Sequence, residues 1–192
     1  MAHAATMHAT PDIRSSSPSS LGRDLAAGAL AGQVAGLVMA VVVMAVFALF
    51  LGKSPLFPVQ VIGSIVFGDA AIQGFHLPAL LAGLLVHQAG PSLAWGLVLG
   101  GAAHAVDLRR GPGLVALGVA VGLASQVVDV ELVVPVVMRA LHGHDLWAEN
   151  VPSAWSWAAH LTFGLALACW PALVSWLEAR SDRSSRGPNR DA

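Results

Sequence analysis

Charge is what this sequence has least of. Lys, Arg, Asp and Glu together make up 11% of its 192 residues, where an average soluble domain carries ~25%. So few charges cannot cover a soluble surface of this size, which excludes an ordinary cytosolic enzyme and a disordered chain. The net charge of −1 leaves no basic surface for a nucleic-acid partner. Cys169 is the only cysteine, so no intrachain disulfide and no cysteine-based zinc site can form. The sequence has no GxSxG, P-loop, HExxH or CxxC motif. It has no large polar segment to house an active site, and Ser125 and Asp129, one turn apart on one helix, do not make a catalytic constellation. The expectation is a non-enzymatic protein.

What is present is apolar: 56% hydrophobic residues and a mean hydropathy of +0.69. Four runs are long enough and poor enough in charge to span a bilayer, at residues 25–51, 78–106, 114–138 and 153–177. The first run exceeds the ~7–15 residues of a signal-peptide core and counts as a span. The expected fold is all-α, a polytopic membrane four-helix bundle. Residues 1–24 read as a disordered cytoplasmic tail with a Ser/Pro cluster at Ser15–Ser20, and residues 178–192 as an Arg-rich cytoplasmic tail. Between the first two spans, residues 52–77 carry Lys53, Pro55, Pro58 and a short apolar stretch, Val59–Phe67. That stretch is too short to cross and reads as interfacial or re-entrant.

Eight of the ten basic residues fall on one side of this arrangement: Arg14 and Arg23, Arg109 and Arg110, then Arg180, Arg183, Arg186 and Arg190. Lys53 and Arg139 fall on the other. The positive-inside rule then places both termini in the cytoplasm of a cell with an inner (plasma) membrane. Trp147, Trp155 and Trp157 mark the outer start of the fourth span and Trp176 its inner end, as in an aromatic belt.

Small residues recur every four positions: Gly28, Gly32, Gly36 and Ala40; Ser92, Gly96 and Gly100; Gly118 and Gly122; Gly164 and Ala168. Such stripes pack membrane helices through close backbone contact. They could serve internal packing or a homo-oligomer, besides the lipid bilayer itself. The two hairpins share an orientation, as in a parallel repeat: His87 precedes Gly90 in one, and His160 precedes Gly164 in the other. With Gly28, Gly32, Gly36, His87, Gly96, His160 and Gly164 and a Pro-containing first connection, residues 25–177 resemble small four-helix bacterial inner-membrane proteins of the YagU-like plan. That resemblance implies a membrane protein and no particular activity. Pro91 and the Asp129/Glu131 pair do not belong to the shared pattern.

Asp129 and Glu131 are the acidic residues inside these spans. Each costs ~2.5–3.5 kcal/mol at a helix centre, which marks it as a functional candidate. Two positions apart is about 200° around a regular helix. Asp129, continuing the Gly118–Gly122 face with Gln126, is assigned to the interior, and Glu131 to another helix, a partner subunit or the interface. Pro135 would kink this helix. At 1.5 Å per residue, Asp129 lies ~14 Å, His87 ~15 Å and His160 ~10 Å from the outer ends of their helices. A polar cluster of His87, Gln126, Asp129, Glu131 and His160, with Gln88 in the same slab, is therefore expected in the outer half of the bilayer.

Three chemistries suit it. One is an ion or proton path, in a small transport-related protein or an accessory subunit of a larger membrane complex. A second is haem b clamped by His87 and His160; the first span has no His and His104 no partner at its depth, so at most one haem fits. A third is a transition metal on His87, His160 and Asp129, with Glu131, or on His142 and His144 in the outer loop. The plain alternative, and the default, is no cofactor at all: intramembrane His and Asp acting as packing contacts. His104, Asp107, Arg109 and Arg110 read as an inner-interface cluster, and Met39 and Met44 as lipid-facing or packing residues.

Overall fold

The computed structural model describes residues 20–185. Arg14, Arg186 and Arg190, with most of the expected N-terminal tail and part of the C-terminal one, lie outside the described residues. Among those described the chain is all-helical. Four helices are long and apolar enough to cross a membrane: α1 (Leu21–Phe50), α3 (Leu77–Ala105), α4 (Pro112–His142) and α6 (Ser153–Ser184). Two short ones complete the fold, α2 (Phe57–Ala71) and α5 (Leu146–Asn150).

The helix ends follow local chemistry. Ser20 caps α1, its hydroxyl accepting the Arg23 amide at 3.3 Å. The helix therefore starts at Leu21, and Asp24, placed by sequence in a disordered tail, is helical and fully buried. The His76 ring caps α3 by accepting the Ala79 amide at 3.0 Å. α4 runs past Met138, the expected boundary, to His142, where Gly143 takes the left-handed conformation (φ 82°) that stops a helix without a Cβ clash. α6 likewise continues beyond Leu177 through the polar residues expected to be tail. No Gly or Pro interrupts it there, and Arg23 on α1 holds Glu178 at 2.9 Å.

Backbone contact between glycines holds the long helices in pairs. α1 lies on α3: a Cβ at Gly28 would collide with the Gly96 carbonyl, one at Gly32 with the Ser92 carbonyl, and one at Gly100 with the Asp24 carbonyl. α4 lies on α6 in the same way. A Cβ at Gly118 would stand 2.6 Å from the Gly164 carbonyl oxygen, and one at Gly122 2.7 Å from the Gly164 Cα. Real Cβ atoms do not approach so closely, so only glycine allows these crossings. A third pairing joins α2 to α3: a Cβ at Gly63 would strike the Ala79 carbonyl, and one at Gly83 the Val59 carbonyl. The 52–77 connection is thus a packed helix over most of its length, with Gln60 donating to the carbonyls of Ala71 (2.7 Å) and Gly74 (2.6 Å). The core between the pairs is built of Ala27, Ala31, Ala35, Leu99, Leu114, Phe163, Leu167 and Trp170.

Three of the long helices are not regular: α6 tightens into a 3-10 turn at Leu167–Cys169, and two others widen. α3 widens into a π-helical stretch at Gln88–Ser92 and α4 at Gln126–Val133. Pro91 lies inside the first and Pro135 just beyond the second. A proline removes one helical hydrogen bond and its ring presses on the carbonyl four residues back; those residues are His87 and Glu131. A widened i→i+5 turn relieves that clash and commonly occurs at functional sites.

Replacing Gly32 by Leu should separate α1 from α3 and lower the stability of the detergent-solubilised protein by about 1–3 kcal/mol or more. Gly101→Ala, where the nearest atom to the new methyl is Leu25 Cδ2 at 3.7 Å, should stay within about 0.5 kcal/mol of wild type. Thermal unfolding of both variants tests this; equal losses would count against backbone contact as the cause.

Candidate functional site

The irregular stretches of α3 and α4 face each other across a partly open cavity of about 130 Å³. α1 contributes Met39, Val43 and Phe47 to its wall, α2 contributes Val59 and Ile62, and α6 contributes Trp155, Ala159 and Phe163. His87, Ser92 and Trp95 from α3, Ser125 and Asp129 from α4, and Ser156 and His160 from α6 supply its polar groups. The lining is otherwise apolar and includes no Lys or Arg.

Each polar group is held differently. Asp129 accepts a hydrogen bond at 2.8 Å from the Trp95 indole across the α3–α4 contact. His160, nearly buried, has Nδ1 at 2.8 Å from the Ser125 hydroxyl, which donates to the Gly122 carbonyl at 2.7 Å. Ser125 has one proton to give. With that proton on the Gly122 carbonyl, His160 Nδ1–H donates to Ser125, and Nε2 is the ring's acceptor. His87 Nδ1 and the Ser92 hydroxyl are buried without a hydrogen-bond partner, as is the Gln88 side-chain amide. The Gln88 backbone carbonyl accepts from Gln33 of α1 at 2.8 Å.

The sequence-expected cluster is therefore divided. His87, Asp129 and His160 share one cavity wall. Gln126 is fully buried between α4 and α6, accepting from Ser156 at 2.8 Å and donating to Glu131 at 3.0 Å. Glu131 itself is exposed on the bundle surface. The π turn invalidates the 200° spacing assumed for a regular helix and lets Gln126 reach a residue five positions on. Among the described residues no group of three or more His, Cys, Asp or Glu side chains is placed to hold a metal ion. Glu131 is exposed, and the Asp129 carboxylate accepts from Trp95. Met39 is buried on the cavity wall, and Trp147 and Trp155 line it too, where sequence placed them in an aromatic belt. Trp157 and Trp176 are exposed, as belt residues would be.

A second polar assembly lies at the other end of the bundle. The fully buried Asp24 carboxylate accepts from Arg109 Nη1 at 2.7 Å and lies 2.7 Å from His104 Nδ1. Trp170 Nε1 donates to the Asp24 carbonyl at 3.1 Å, and its ring lies 5.7 Å from the Arg109 guanidinium. Asp107 accepts from Arg109 Nε at 3.1 Å, and Arg110 is exposed. Sequence grouped His104, Asp107, Arg109 and Arg110 but missed the carboxylate at the centre. The signal was Asp24 one turn before Gly28, on the buried stripe.

The histidines at the end of α4 and in the turn that follows make local contacts. His142 Nε2 lies 3.1 Å from the Ile65 carbonyl, tying α4 to α2. His144 lies 3.0 Å from both Glu149 carboxylate oxygens and 3.4 Å from Asp69. The Glu149 hydrogen bond, then that of Asp69, raises the His144 pKa above the ordinary imidazole value. No protein-family model, no curated protein and no solved structure matches this chain.

Two predictions follow from these contacts. Asp24→Ala leaves Arg109 and His104 facing an empty buried position and should cost on the order of 3 kcal/mol in thermal unfolding; a change under ~0.5 kcal/mol would show the cluster to be idle. For His144, the raised pKa means its contacts stabilise the loop fully below the ordinary imidazole pKa of ~6.5 and fade as pH rises through the higher folded value. An NMR titration should find that Glu149→Gln lowers this pKa; no change would remove Glu149 as its cause.

Proposed function

We propose that this chain is a non-enzymatic integral membrane protein, an accessory or small transport-related component of the inner membrane, that receives a small lipid-soluble molecule in its intramembrane cavity. The observation that carries this reading is the cavity itself. Apolar walls from six helices surround His87, Asp129 and His160, the make-up of a small-molecule site in which a few polar groups orient an apolar ligand. The same walls weigh against a path for hydrated ions. The asymmetry of basic residues supports cytoplasmic N- and C-termini and, with them, a cavity in the outer half of the bilayer. The glycine pairings of α1 with α3 and α4 with α6 are in keeping with two parallel hairpin repeats. Glu131, exposed within a span, supports a covering partner at that face, a second copy or a larger membrane complex, because a carboxylate facing lipid costs ~2.5–3.5 kcal/mol.

Haem b is the second reading, and one observation favours it: His87 and His160, on different helices, line one cavity. Ser125 would orient the His160 ring as ligand partners do. A haem also brings two propionates, and the lining offers them no Lys or Arg.

Protein purified in mild detergent should yield, on organic extraction and mass spectrometry, one lipid-soluble small molecule per chain that is lost in Ala159→Phe, a substitution that fills the cavity. Wild type and variant yielding only the same bulk lipid would sink the ligand reading. A Soret band lost in both His87→Ala and His160→Ala would establish haem in its place. A C-terminal reporter active only outside the cytoplasm would overturn the topology.

A further inference from the structure

The size and polarity of the cavity narrow the ligand class, on the reading that a lipid-soluble molecule binds there. At about 130 Å³ it is close to the ~150 Å³ apolar cavity known to accept benzene. The enclosed body is thus a single six-membered ring. A pure hydrocarbon would leave the Ser92 hydroxyl, only 1% exposed, and His87 Nδ1 without partners, and an unpaired buried polar group is a standing cost that a ligand oxygen removes. Those groups lie on α3. On α6, His160 offers either role: it accepts at Nε2 while Ser125 donates to the Gly122 carbonyl, and donates there if the Ser125 proton turns to Nδ1. The site can therefore meet a carbonyl or a hydroxyl. An anionic ligand is disfavoured, since the wall carries the Asp129 carboxylate and no Lys or Arg. The rim reaches the outside of the bundle at Leu84, which lines the cavity and is 42% exposed, so an apolar tail can run from the ring into lipid.

We propose that this cavity is a binding site for the ring of a lipophilic 1,4-benzoquinone or its quinol, with His87 and Ser92 on one helix and His160 on another bonding its oxygens. The quinone and quinol have hydrogen-bonding oxygens at opposite ends of one ring, and the site draws its polar groups from two helices, α3 and α6.

The test compares duroquinone with durene, the same tetramethylated ring without oxygens, on the full chain in mild detergent. Binding is read from thermal stabilisation and, for duroquinone, from quenching of the cavity tryptophans Trp95, Trp147 and Trp155. Duroquinone should bind saturably and at least tenfold more tightly than durene. His87→Phe and Ser92→Ala should each weaken duroquinone roughly five- to tenfold and leave durene within twofold. Because the two variants are independent, misfolding of one leaves the other to decide. Equal affinity for the two rings, or duroquinone binding unchanged in a folded variant, overturns the quinone assignment while the ligand site stands. Binding of neither ring, in wild type as in Ala159→Phe, overturns both.

Discussion

Everything in this bundle depends on how closely α1 and α4 approach their partners. Where Gly28, Gly32 and Gly96 meet, and where Gly118, Gly122 and Gly164 meet, backbone rests on backbone. Lipid offers helices no hydrophobic drive to associate, so dispersion contact at short range must supply the attraction. Such contact is strong only if it is continuous and free of side chains. The rest of the architecture can then be looser. With two helix pairs fixed, the space between α3, α4 and α6 is left incompletely filled, and the cavity lies there.

Much of this was legible in the sequence, and the residues show why. Low charge and four long apolar runs mark out four helices long and apolar enough to cross a membrane without any knowledge of packing. The i, i+4 glycines name the faces that touch, though only the structure says that the first stripe meets Gly96 and Gly100. Depth along each helix, a matter of counting residues, brought His87, Asp129 and His160 to one level, and all three line one cavity.

The remainder was hidden by two assumptions. The first was that depth and regular geometry suffice. Depth put Glu131 in the polar cluster although its angle pointed it elsewhere; the helix has a π turn here and leaves Glu131 at the surface. The clue was available, because Pro91 and Pro135 each follow a candidate residue by four positions. The second was that charge marks the end of a span. Asp24 beside Arg23 looks like the polar start of a tail, yet the Ser20 cap draws it into α1 and onto Arg109 and His104. Likewise the connection between α1 and α3 read as interfacial or re-entrant from its length, and the Gly63–Gly83 fit that packs it on α3 was not visible in that reading.

The ion cluster around Asp24 has one more consequence. It clamps α1, the end of α3, the following loop and Trp170 of α6 at one end of the molecule, while the cavity sits towards the other. A pivot at that clamped end would make lever arms of the long helices. Phe47 lies ~35 Å along α1 from Asp24 at 1.5 Å per residue, so a rotation of only ~3° about that pivot moves it by ~2 Å. A small flexing of the bundle, with no helix broken, is thus enough to widen or narrow the cavity wall.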